Sequence, residues 1–140
     1  MAAIIDAEGA VLGRLCTVVA KRLLKGEDII VVNSEKAIVT GKKTMIKEHY
    51  KQEREVGTYR KGPFYPRMPD QIMKRTIRGM IPYQQPHGRT AFKRLRCYMG
   101  VPQELKEKPL EKITSAEKHP ASFMTLQEVA HFLGAHVNYE

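Results

Sequence analysis

Two short apolar runs near the N-terminus, separated by one amphipathic stretch, constrain this chain most. "AAIID" ends at Asp6, and "EDIIVVNS", Glu27 to Ser34, is rich in β-branched residues and is stopped by Asn33 and Ser34. Each reads as a buried strand. Between them, Leu12, Leu15, Val19 and Leu23 recur at helical spacing, Arg14, Lys21 and Lys25 turn away, and Gly26 supplies a C-terminal stop. Strand, helix and strand in so short a span form a βαβ unit, which implies a parallel sheet and a right-handed crossover.

Beyond it the spacing predicts a third strand at Ala37 to Val39 and a polar, exposed helix over 42–55 anchored only by Met45, Ile46 and Tyr50. The glycines and prolines of "GTYRKGPFYPRMP" forbid a long regular element. Pro69 suits a first helical turn, Asp70 favours the positive end of the dipole, and Gly79 and Pro82 act as stops, so a helix is expected between them. On it Ile72, Met73, Thr76, Ile77 and Met80 share an arc of roughly 140°, with Gln71, Lys74, Arg75 and Arg78 opposite. "HGRTAFKRL" predicts a shorter helix, and "RCYMGVP" a final strand. "PQELKEKPLEK" reads as a linker with little to bury. Thr125 and Glu128 then form a capping box, Met124 and Val129 a staple and Gly134 a stop, for a helix at about 125–133. A length of 140 residues suits one domain: a core over 1–101, followed by a linker and C-terminal extension over 102–140.

Charge is distributed very unevenly. The chain has 24 Lys and Arg against 15 Asp and Glu, a net charge of +9. Between Val56 and Gln103 ten basic residues face a single acid, Asp70, so this third carries all of the net charge. Tyr59, Phe64, Tyr65, Tyr83, Phe92 and Tyr98 are interleaved with the cations, as are Gly57, Gly62, Gly79 and Gly88. Cations neutralise phosphates, planar side chains stack on unpaired bases, and glycines admit close backbone approach. The pattern points to nucleic acid, and its spread over loops and helices suits a folded RNA better than one DNA groove.

Other chemistries lack their motifs. Glu35 stands where a ribose-binding acid would lie after the second strand, but the first turn, "DAEGAVLG", has no GxGxxG. "VTGKKT" lacks both the earlier glycine and the Ser or Thr of a phosphate loop. His49, His87, His119, His131 and His136 show no zinc spacing, and no nucleophile motif occurs. Cys16 and Cys97 read as reduced, buried thiols. No apolar run is long enough to span a membrane and the N-terminus does not read as a signal peptide, which makes the cytoplasm the expected location. An RNA-processing or nucleotide-dependent enzyme with a basic docking face is the rival reading.

"DAEGAVLGRLCTVVAKRLLKGEDIIVVNSEKAIVTGKK", "RGMIP" and "LRCYMG", in that order, resemble the ribosomal protein L-thirteen family, and "KGPFYPRMP" resembles its archaeal and eukaryotic branch, on the archaeal side. The resemblance implies a three-layer α/β/α domain around a four-stranded, mostly parallel sheet, with no catalysis, cofactor, metal or small-molecule substrate. It also implies binding to large-subunit ribosomal RNA in early subunit assembly, beside neighbouring ribosomal proteins. By position Arg75, Arg78, Gly79 and Met80 match the family's central motif, Met80 being expected to pack; Gly88 and Arg89 match the following loop, and Lys42 the basic end of the third strand. With the charge reading, the expected RNA contacts are Lys42, Lys43, Arg60, Lys61, Arg67, Lys74, Arg75, Arg78, His87, Gly88, Arg89, Lys93, Arg94 and Arg96.

Overall fold

Parallel pairing of the first two strands organises the structure. In the computed structural model, which describes residues 2–136, β1 (Ala3–Asp6) lies beside β2 (Ile29–Val32), with Ala3 opposite Ile29 and Asp6 opposite Val32. Helix α1 (Leu12–Leu24) connects them, as the spacing predicts. Then come β3 (Ile38–Thr40), α2 (Lys43–Glu55), α3 (Pro69–Met80), α4 (Pro86–Lys93), β4 (Leu95–Cys97), β5 (Glu111–Lys112), β6 (Phe123–Thr125) and α5 (Leu126–Phe132). Single 3-10 turns occupy Ser34–Lys36, Gln103–Leu105 and Thr114–Ala116.

The α/β class and a four-stranded parallel sheet are observed, with one change of membership. The sheet runs β4-β2-β1-β5. The predicted third strand is not in it: β3 pairs antiparallel with β6, Ile38 opposite Thr125. The fourth member is β5, from the segment that reads as a linker. Both β5 side chains are exposed, so its apolar pattern carries no strand signal. Backbone pairing holds it, helped by Arg22 to Glu111 at 3.0 Å and Lys112 to Asp6 at 3.9 Å.

Alternation along the strands makes two cores. Ile5, Ile29, Val31 and Leu95 face one cluster, to which each of the five helices contributes: Leu15 and Val19 from α1, Ile46 and Tyr50 from α2, Ile72 and Ile77 from α3, Ala91 from α4, and Leu126 and Val129 from α5. Ile4 and Val32 face the other, closed by Leu105 with half-buried Tyr98 and Val101. The far layer is therefore the connection from β4 to β5, with its 3-10 turn. Chain beyond Val101 covers one face of the sheet, extends its edge and returns α5 to the main core; residues 137–140 of the expected extension lie outside the described residues.

Helix boundaries follow the sequence signals closely. Pro69 occupies the first turn of α3, whose Ile72, Met73 and Ile77 are fully buried. Thr125 caps α5 by accepting a hydrogen bond from the Glu128 amide at 3.3 Å. Two expected anchors differ: Met80 is 41% exposed, its sulfur 3.7 Å from the Thr17 hydroxyl, and Met45 is 64% exposed. Periodicity gives a side chain's direction but not how far the neighbouring layer extends, and both residues stand near helix ends.

Leu126→Ala is expected to lower stability by about 2–5 kcal/mol in urea unfolding, a core cost paid from within the C-terminal extension. Burial pushes the Cys16 and Tyr50 groups up and Cys97 up to about 12. The unfolded thiols and phenol ionise first, from about 8.5 and 10, so the stabilisation is complete below that range and declines as pH rises through it. Urea midpoints are expected to fall between about pH 8.5 and 10.5.

Candidate nucleic-acid interface

The face of α3 that remains after core packing carries Lys74, Arg75 and Arg78. Aromatic rings hold these cations: Lys74 lies 5.3 Å from the centre of Phe92, Arg75 4.9 Å from Tyr65, and Arg78 4.2 Å from Tyr83. Tyr83 also receives Arg89 at 6.0 Å and meets Phe92 edge to face. Each such contact contributes about 0.5–1 kcal/mol at an exposed site. A guanidinium stacked by its face keeps its in-plane N–H donors free for an outside acceptor.

No acid competes for those donors. Among the described residues the ion pairs are Arg22 with Glu27 and Glu111, Lys36 with Glu8, Lys51 with Glu55, and Lys112 with Asp6. All lie outside 56–103, the span that carries the net charge. The contrast with Arg22 is chemical: its hydrogen bond to Glu27 at 2.7 Å raises its pKa and occupies its edge.

The turn between α3 and α4 gives this surface its shape. The Tyr83 amide donates to the Ile81 carbonyl at 2.7 Å, the Gln85 amide to Pro82 at 3.0 Å, and Arg89 Nε to the Tyr83 carbonyl at 3.2 Å. Gly88 is buried under this turn, where a Cβ would stand 1.9 Å from the Pro82 oxygen. A cleft of about 760 Å³ results, lined by Pro63, Arg75, Arg78, Tyr83, Gln84 and Gln85 among others. The loop before α3 is tied in by Arg54, whose Nη1 donates to the Tyr65 carbonyl at 2.6 Å, and by the Tyr50 and Tyr65 rings, 6.1 Å apart.

Of the fourteen expected contacts, Arg75, Arg78 and Arg89 converge on this cleft, with Lys74 beside it on Phe92. Arg60 and Lys61 form an exposed loop tip, Arg60 over Tyr59, and Arg67 is exposed just before α3. His87 and Lys93 are exposed at the two ends of α4. Lys42 and Lys43 begin α2, where Lys43 borders a separate groove with Phe132 and His131 of α5. Arg94 is half-buried with Nη1 3.5 Å from the Leu23 carbonyl, at the end of α1. Arg96 is opposite Ile30 in register, on the far face of the sheet. Gly88 serves the turn rather than the surface.

At the carboxyl end of the sheet, where open parallel sheets receive nucleotides, polar groups satisfy each other. Buried Glu35 accepts from the Gly100 amide at 2.9 Å, and Asp6 accepts from Asn33 Nδ2 at 2.9 Å and the Glu8 amide at 3.0 Å. The acid that could have read a ribose instead ties the chain after β4 to the end of β2. Among the described residues no group of His, Cys, Asp and Glu could hold a metal ion, and no helix is long and apolar enough to cross a membrane.

Residues 1–104 match the family model described as Ribosomal protein L13. The chain belongs to that family. Large ribosomal subunit protein uL13 of Archaeoglobus fulgidus is 50% identical to it over 135 residues, covering 94% of this chain and 86% of the relative. The uL13 of Methanopyrus kandleri is 52% identical over 136 residues with the same coverage, and that of Methanocaldococcus jannaschii 48% identical over 136 residues, covering 94% and 97%. All three relatives are archaeal, in agreement with the branch that "KGPFYPRMP" resembles. The L13 match contains α3, the cleft and all fourteen candidate contacts, and the uL13 alignments reach well past residue 104.

Gln84 and Gln85 escaped sequence reasoning, because charge counting passes over neutral amides. The available signal was "IPYQQPHG", a polar pair held between a helix stop and a Pro-initiated helix. Two glycines in this L13 segment separate packing from surface. Gly88→Ala is expected to destabilise by about 1–3 kcal/mol through overpacking against Pro82. Gly79→Ala, in open space near the end of α3, is expected to be neutral or to stabilise by up to about 1 kcal/mol. Urea unfolding of both variants checks the opposite signs.

Proposed function

We propose that this chain is a structural constituent of the large ribosomal subunit that binds large-subunit, 23S-type ribosomal RNA and supports early subunit assembly and translation in the cytoplasm. The carrying observation is the set of cations that aromatic faces hold and no carboxylate neutralises. Such a surface is electrostatically incomplete until phosphates supply the missing charge. Membership of the L13 family and relatives named large ribosomal subunit protein uL13 support the same reading and give no support to an enzyme. Glu35, the acid on which the enzymatic rival leaned, is buried and already bonded to the backbone.

RNA phosphates meet Arg75, Arg78 and Arg89 around the cleft, while Arg60, Lys61, Arg67, His87 and Lys93 widen the contact. Lys42 and Lys43 lie at a second edge, and Arg96 reaches RNA or a neighbouring ribosomal protein from the other side of the sheet. Arg94 contributes through the end of α1 that it holds. Arg75→Ala with Arg78→Ala is expected to weaken binding to large-subunit RNA while leaving the urea midpoint nearly unchanged. The slope of log affinity against log salt should flatten by about 0.7–0.9 for each lost phosphate contact. Unchanged affinity and slope in filter binding would remove these two residues from the interface.

A further inference from the structure

The cleft beside Tyr83 has features that phosphate neutralisation does not require. A run of phosphates is served by exposed cations on any open surface. Here the cations surround a concavity of about 760 Å³, within the range of about 300–1,000 Å³ typical of pockets for small planar ligands. Its wall holds a layered pair, the Arg78 guanidinium 4.2 Å above the Tyr83 ring, and Tyr83 is itself braced edge to face by Phe92. Arg78 is exposed and lines the cleft, so the guanidinium face turned away from Tyr83 remains a free stacking surface.

Beside this stack stand two exposed carboxamides, Gln84 and Gln85. Gln85 precedes α4, yet its side chain does not cap the helix. A carboxamide offers a donor and an acceptor side by side, the pattern that pairs with the edge of a nucleobase and that a phosphate, which only accepts, does not need. The backbone carrying both amides is fixed by the hydrogen bonds of Tyr83 to Ile81 and of Gln85 to Pro82, and by Gly88 beneath. Arg75 and Arg89 flank the cleft, placed to take the phosphates on either side of one nucleotide.

We infer that this cleft receives a single unpaired base of the bound RNA, stacked on Arg78 and read at its edge by Gln84 and Gln85. The inference rests on the RNA-binding reading above and narrows it from a backbone contact to a nucleotide pocket. Paired bases present no free face to such a stack, whereas bases in bulges and loops can be turned out into a protein. Of the residues involved, the two glutamines are the ones whose loss should remove the pocket's function and leave the phosphate contacts intact.

The test uses the full chain and its own large-subunit RNA transcribed in full. Dimethyl sulfate and a carbodiimide report the Watson–Crick edges of unpaired bases, free and bound. With the unaltered protein, at least one unpaired base should lose most of its reactivity on binding. Gln84→Ala with Gln85→Ala should restore that reactivity and weaken binding about three- to tenfold, the loss of one or two hydrogen bonds, without changing the salt slope. Salt-dependent binding with the same unpaired-base reactivities for both proteins, or a crosslink from position 84 to a ribosomal protein in place of RNA, would overturn the inference alone. Absence of salt-dependent binding by the unaltered protein would instead overturn the reading beneath it.

Discussion

A parallel sheet has to be covered on both faces, and the rest of this molecule is arranged around that requirement. Ile5, Ile29 and Val31 point one way and Ile4 and Val32 the other, so neither face can be left to water. The helices meet the first demand and the β4-to-β5 connection meets the second. Because α3 is one of the covering helices, Ile72, Met73 and Ile77 fix its rotation about its own axis. Its basic residues then have one direction left, outward, on an element that the core holds rigid. Binding residues placed this way lose little freedom when a partner arrives.

Concentrating cations on one side carries an electrostatic cost, since like charges repel across a Debye length of about 8 Å. Surface acids usually relieve such repulsion, and Arg22 between Glu27 and Glu111 shows that pattern on the other side of the same fold. Around Tyr83 the relief comes from aromatic faces. A quadrupole attracts a cation without satisfying its hydrogen bonds, so the guanidiniums are positioned but remain unsaturated. A partner meets no carboxylate that must first be displaced. The same device shapes the cleft, because rings that hold arginines also wall in a space between them.

Much of the fold was legible where one segment settles its own structure. The βαβ start, the Pro69 helix start and the Thr125 cap each depend on residues within a few positions of one another, and each is found where the signals place it. Pairing was less legible. β3 satisfies every local rule for a strand, yet its partner is β6, about eighty-five residues later, and β5 has no apolar side chain to announce it. Candidate contacts divide similarly: the central cations of α3 follow from helical phase, while the internal role of Arg94 and the far-face position of Arg96 depend on layers that helical phase does not describe.

By itself the sequence determined the class of fold, the core and cationic faces of α3, and the family, because these follow from spacing, charge and motif order along the chain. Only the tertiary structure decided which strands share a sheet, that Glu35 closes the strand ends instead of facing a ligand, and that Arg75, Arg78, Tyr83 and the two glutamines share one cleft. The physical reason is range. Periodicity and capping act over one or two helical turns, whereas strand partnership, burial of a lone acid and the meeting of side chains from separate elements are set by packing between segments distant in the chain.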